Sequence, residues 1–169
     1  MFQIGKAVLY DMWGVCIIEA VEQQKTSDGL QDYLVLRPVY HSSAKLYLPN
    51  IEEVLRKSLR SVISKDEIET LLRTLKDTPL CWIEQPKERW QFIQDSLSSG
   101  DRKAILEMIR MLYTRKQELK LKGKHLRMTD EQALRDGEKL LNGEFAYVLQ
   151  IPIEEVPKVI HAVIEHSVS

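Results

Sequence analysis

The apolar residues of this chain change their spacing once, near Pro49, and that change limits the folds open to it. Up to Pro49 they fall in four short runs, KAVLYD, GVCIIEAVEQQ, QDYLVLRPVY and AKLYLPN. These are rich in Val, Ile, Leu and Tyr, are separated by turn formers, and read as strands. Ser27-Asp28-Gly29 predicts a hairpin tip, because Gly29 tolerates the positive φ of a tight turn; Gly14 separates the first two strands in the same way. Four or five short strands in so few residues fit a small closed or half-closed barrel.

After Pro49 the spacing is helical. Ser64-Lys65-Asp66-Glu67 reads as a capping box, and Ile68, Leu71, Leu72 and Leu75 follow on one face. Pro86 suits the first turn of another helix, through Trp90, Phe92, Ile93 and Leu97 to Ser99-Gly100. Asp101 caps the next, whose Ile105, Ile109, Leu112 and Tyr113 form an apolar face. Thr129-Asp130-Glu131-Gln132 reads as a second capping box and Asn142-Gly143 as a break, with a last amphipathic segment holding Val156, Val159, Ile160 and Val163. The prediction is an α+β chain. A small β barrel occupies residues 1–52 and an all-α domain of four or five helices occupies 53–169, joined near Pro49 to Arg60 without a Gly/Ser linker.

Composition bounds what such a chain does. With 169 residues, 44% of them hydrophobic and 29% charged, it buries a core rather than remaining disordered. No apolar run approaches the roughly 20 residues that span a bilayer, and MFQIGKAVLYD lacks the pattern of a signal peptide, so a cytoplasmic protein without a membrane partner is expected. Cys16 and Cys81 lack metal-binding or redox spacing, and His41, His125, His161 and His166 are scattered, so neither a metal nor another cofactor is expected. No dinucleotide or phosphate loop, nucleophile elbow, zinc-protease helix or calcium loop occurs, and no residue is assigned a catalytic role. The chain does not read as an enzyme.

The net charge of −1 conceals an uneven distribution. Arg102, Lys103, Arg110, Arg115, Lys116, Lys120, Lys122, Lys124 and Arg127 are opposed over that stretch only by Glu107 and Glu118. Gathered on one face, such charge attracts phosphates; spread around helices, it is a solvated flank. Just before it, CWIEQPKERW (residues 81–90) places Trp82 and Trp90 among polar neighbours. An indole belongs in a core or at an interface.

The start holds Phe2, Gly5, Val8, Tyr10, Gly14 and Val15 in the pattern F-x-x-G-x-x-V-x-Y-x-x-x-G-V. Then come Glu19 and Glu22, a hairpin, Tyr33-Leu34-Val35-Leu36, a strand ending at Pro49, Ser99-Gly100-Asp101, and Leu141 to Ala146. The order of these features resembles the CarD family of bacterial transcription regulators. The N-terminal part is also similar to the polymerase-interacting domain of transcription-repair coupling factors. The resemblance implies a Tudor/SH3-like barrel that docks on the β subunit of bacterial RNA polymerase. It implies further that a helical-domain tryptophan wedges into the minor groove at the upstream edge of the promoter bubble, stabilising the open complex, with basic neighbours on the phosphates. The protein would then act as a monomer on polymerase. The alternative is a polymerase- or protein-interaction module without productive DNA binding.

Carried residue by residue, the family's wedge position falls on Pro86, with Trp82 four residues before it and Trp90 four after. Trp82, in Trp-Ile-Glu, is the expected wedge, and Trp90, heading a face with Ile93 and Leu97, the expected core residue. The DNA-binding set is accordingly Trp82, Pro86, Lys87, Arg89, Trp90, Lys120, Lys122 and Lys124. The family's two polymerase-contacting arginines fall on Gln24 and Tyr47, so neither charge is present. Edge pairing needs only free backbone groups, which leaves Gln24, Leu46, Tyr47 and Leu48 as the polymerase-binding set. Trp13, on the Asp11-Met12-Trp13 turn, reads equally as a substitute anchor or a barrel plug.

Overall fold

The computed structural model describes residues 2–10, 13–79 and 81–167. The chain divides into two compact units, Met1–Ile63 and Ser64–Ser169. In the first, β1 (Ala7–Tyr10), β2 (Gly14–Thr26), β3 (Gly29–Pro38) and β4 (Leu46–Pro49) are followed by α1 (Glu52–Ser58) and β5 (Leu59–Ser61). They form one antiparallel sheet in the order β4-β3-β2-β1-β5. The long β2–β3 hairpin turns where expected: Thr26 faces Gly29, which takes φ 117, a region that strains any residue with a Cβ. Among the described residues the sheet stays open between β4 and β5.

One face of the sheet carries Val8, Cys16, Ile18, Leu34, Leu36 and Leu48, and Leu55 and Leu59 close the core over it. Those last two explain why the division falls after Ile63 rather than between Glu52 and Glu53. α1 and β5 supply core side chains, and β5 pairs with β1 from Val8–Ser61 to Tyr10–Leu59. Asp11 and Met12 lie outside the described residues. Trp13 is exposed, edge-on to His41 at 6.1 Å, and so plugs no barrel.

The second unit contains α2 (Lys65–Leu75), α3 (Pro86–Ser98), α4 (Arg102–Leu121), α5 (Met128–Leu149), a 3-10 turn (Ile153–Glu155) and α6 (Val156–Ser167). Ser64 caps α2 by accepting from the Glu67 amide at 3.1 Å, and Asp101 caps α4 by accepting from the Lys103 amide at 3.0 Å. Helix α4 lies deepest, with Leu106, Met108, Ile109 and Leu112 fully buried; Leu141 and Phe145 of α5 and Ile160 and Ile164 of α6 share that core. No helix among the described residues is long and apolar enough to cross a membrane.

Two local expectations fail here. Helix α5 starts one residue before Thr129, with Arg127 as its N-cap and no side-chain cap, so Thr129 caps nothing. Asn142-Gly143 does not break α5. Leu141, Glu144, Phe145 and Ala146 are buried, and Arg102 donates from Nε and Nη2 to the two Glu144 carboxylate oxygens, each at 2.6 Å. Tertiary contacts of this strength outweigh the weak helix propensity of an Asn-Gly pair.

Gly137 sets how closely α5 packs. A Cβ there would lie 2.5 Å from Met108 Cε and 3.2 Å from Ile109 Cγ1. Gly137→Val is expected to overpack this contact and cost about 1–3 kcal/mol, read as a lower urea midpoint at unchanged slope. A midpoint equal to that of the parent would mean that the two helices separate at no cost.

Candidate functional site

The segment before α3 and the starts of α3 and α5 meet at one buried ion pair. Arg89 Nε donates to Asp130 Oδ1 at 3.0 Å, and both residues are only 5% exposed. Arg89 Nη1 also donates to the carbonyls of Ile83, at 2.8 Å, and Glu84, at 3.2 Å. Its guanidinium is therefore engaged internally and buried, which sets Arg89 apart from the expected DNA-binding set: a buried cation with an internal carboxylate partner is poorly placed to meet a phosphate.

Trp82 lies half-buried against the same group. The Arg89 guanidinium carbon sits 4.6 Å from its ring centroid and that of Arg115 at 5.3 Å. These are cation–π distances, and they engage the indole within the protein. Trp90 has the opposite character: it is 57% exposed, on the outer side of α3. Trp90, the expected core residue, thus faces solvent, while Trp82, the expected wedge, lies half-buried beside two arginines. Beside Trp90 runs a groove of about 500 Å³ between the starts of α3 and α5. Pro86, Lys87, Ile93, Gln94, Arg127 and Gln132 are among its lining residues.

The basic stretch does not form one face. Arg102 is locked to Glu144, and Arg110 is buried, donating to the carbonyls of Leu75 and Thr78. Arg115 lies on Trp82 and 3.3 Å from Glu118, while Lys116 pairs with Glu131 at 2.7 Å. Apart from Lys103 at the start of α4, the exposed remainder is concentrated where α4 ends and α5 begins: Lys120, Lys122, Lys124 and Arg127 are exposed and have no ion-pair partner among the described residues. Arg127 was not in the expected set; its position beside Trp90 depends on where α5 starts.

In the first unit, register decides which residues a partner can reach. Gln24 pairs with Gln31, Glu22 with Tyr33, and Ala20 and Tyr47 both with Val35, so Gln24 and Tyr47 share the face of the sheet opposite the core. Tyr47 is 43% exposed. Leu46 and Leu48 point the other way: Leu48 belongs to the core and Leu46 packs against it, so their side chains are unavailable. β4 is a sheet edge. Asn50 donates its amide to the Asp32 carbonyl at 2.8 Å, which makes Tyr33–Pro49 a non-hydrogen-bonded pair. By alternation Val35–Tyr47 is one too, so the N–H and C=O of Tyr47 point out along the free edge.

Burial, followed by donation to Glu165, pushes the Tyr113 phenol up to about 12. Burial pushes the Cys16 thiol up to about 11.

Loss of one ion-pair partner should strand the other charge. Asp130→Ala is expected to destabilise the protein by about 3–5 kcal/mol, whereas Trp90→Ala, at an exposed site, should stay within about 1 kcal/mol. Thermal melts of the two variants side by side check this. Equal melting temperatures would contradict the assignment of Arg89–Asp130 as the internal clamp.

The comparisons with known proteins agree with this division. Residues 2–59 match the model of the CarD-like/TRCF RID domain, and residues 70–161 match the CarD C-terminal domain. The chain is also similar to a Bacillus subtilis (strain 168) protein named "Putative transcription factor YdeB". The two are 28% identical over 134 residues, covering 77% of this chain and 84% of that protein. The chain belongs to the CarD family, with both of that family's domains in their expected order.

Proposed function

We propose that this protein is a non-enzymatic regulator of transcription initiation that docks on the RNA polymerase β subunit through its sheet and grips promoter DNA through its helical unit. It stabilises the open complex at the upstream edge of the bubble, and it acts as a monomer on polymerase. The observation that carries the DNA half is the exposed indole of Trp90, set beside Lys87, Arg127 and an open groove in a chain of this family. An apolar side chain of that size holds an unstacked base step, worth a few kcal/mol, while neighbouring cations neutralise phosphates without regard to sequence. Trp82 then serves as the inner support of the segment, in contact with two guanidinium groups.

On this reading Trp90→Ala shortens the lifetime of open promoter complexes and leaves the melting temperature nearly unchanged. Trp82→Ala does the reverse, lowering the melting temperature first. If Trp82→Ala alone shortens open-complex lifetime at unchanged stability, the wedge is Trp82 and the assignment to Trp90 is wrong.

For the polymerase half, Tyr47 offers a side chain on the outer face and backbone groups on the free edge, the arrangement from which a partner strand extends a sheet. Gln24 lies on that face, two rows along. Tyr47→Glu should abolish co-purification with polymerase while the circular dichroism spectrum stays that of the parent. Normal co-purification would put the docking surface elsewhere.

A further inference from the structure

The turn joining α4 to α5 carries a feature that phosphate binding alone does not require. Leu121, the last residue of α4, is 90% exposed, and Met128, the first of α5, is 89% exposed. They are the two most exposed large hydrophobic side chains among the described residues. Lys120, Lys122, Lys124 and Arg127 stand beside and between them, and no Asp or Glu occurs from Leu119 to Thr129.

The turn that displays them is braced. Lys122 donates its amide to the Leu119 carbonyl at 3.0 Å, Gly123 to Lys120 at 3.0 Å, and Lys124 to Leu119 at 2.8 Å. Gly123 takes φ 69, the left-handed conformation that closes such a helix end. Leu126, between the two exposed residues, is turned inward and buried. One apolar residue of the turn thus anchors it, and two are exposed among the cations of the same turn.

We propose that this turn is a second DNA-wedging element, in which Leu121 and Met128 enter the minor groove against a deformable base step while the four cations hold the flanking phosphates. The proposal rests on the DNA-binding reading above and adds a contact separate from Trp90. Leucine and methionine are among the side chains that serve as wedges in minor-groove binding, and sequence selectivity then comes from how easily a step unstacks. Charge decides among occupants. A second copy of the turn would bring like charges together. A lipid surface favours a continuous apolar helix face, which two separated side chains do not provide.

The test uses the full-length protein and a 30-base-pair duplex, either fully paired or carrying a two-base mismatch. Affinity is read by fluorescence anisotropy across a salt series and bending by end-to-end energy transfer. The combined Leu121→Gln and Met128→Gln variant, which alters only exposed side chains, should bind both DNAs about tenfold more weakly, bend the paired one less, and keep its salt slope. The combined Lys120→Gln, Lys122→Gln and Lys124→Gln variant should instead flatten the slope by about 0.9 per lost phosphate contact. Parental affinity and bending in the first variant, with a flattened slope in the second, would overturn the wedge and leave the phosphate path standing. If neither variant differs from the parent while Trp90→Ala weakens binding, the turn is not a DNA contact, although the DNA reading survives at Trp90. If Trp90→Ala is also without effect, the DNA reading itself fails. Tighter binding to phosphatidylserine vesicles than to either DNA, lost in the Leu121/Met128 variant, would assign the turn to a membrane and refute the proposal.

Discussion

The outward surface of the helical unit depends on one buried ion pair. Arg89 has five donors in a planar fork; one reaches Asp130 and another is shared between the carbonyls of Ile83 and Glu84. A charge in this position must be paired, because leaving it alone costs several kcal/mol. The arrangement is therefore close to all-or-none: the segment before α3, the first turn of α3 and the first turn of α5 are held in one relation. Trp82 lies on the face of that guanidinium. Trp90 follows Arg89 by one residue, about 100° around the helix, and is displayed because its neighbour turns inward. A lysine could not replace this arginine, since it lacks the planar fork and the flat face.

Much of the first unit was legible from its residues, because strand spacing and turn chemistry are local. Gly29, Pro49 and the Val, Ile and Leu runs mark the four strands β1 to β4, while α1 and β5, which join the same compact unit through tertiary contacts, have no such local mark. Ser64 and Asp101 were legible for the same reason, since a cap acts within three residues. The exposure of Trp90 and the burial of Arg89 have a different origin. The inward stripe of α3 is Arg89, Ile93 and Ser96, a charge and a hydroxyl around one apolar residue. Hydrophobic spacing points instead to Trp90, Ile93 and Leu97. What turns Arg89 inward is Asp130, 41 residues away, and what satisfies Ser96 is its own helix, through the Phe92 carbonyl at 2.8 Å. Neither partner leaves a periodic trace.

The basic stretch teaches a related lesson about charge. Counted along the chain, nine cations suggest a broad electropositive face. In the fold, Arg102 and Arg110 act as struts, holding Glu144 and the carbonyls at the end of α2, and Arg115 and Lys116 are also engaged. Apart from Lys103 at the start of α4, the exposed charge is smaller in number but more concentrated, at a single turn. Local field depends on such concentration more than on the total, which is why a chain of net charge −1 still presents a strongly cationic point.

The free edge of β4 has a consequence for self-association. An unpaired strand is a template on which any extended chain, including another copy, can add and aggregate. This edge is short, and its outward backbone positions alternate. Tyr47 offers a donor and an acceptor there, but the next outward residue is Pro49, which has no N–H to give. A strand seeking only backbone partners gains too few hydrogen bonds to stay. Retention on this edge would have to come from side-chain fit at Tyr47 and its face, so one proline limits how readily copies of the protein add to one another along it.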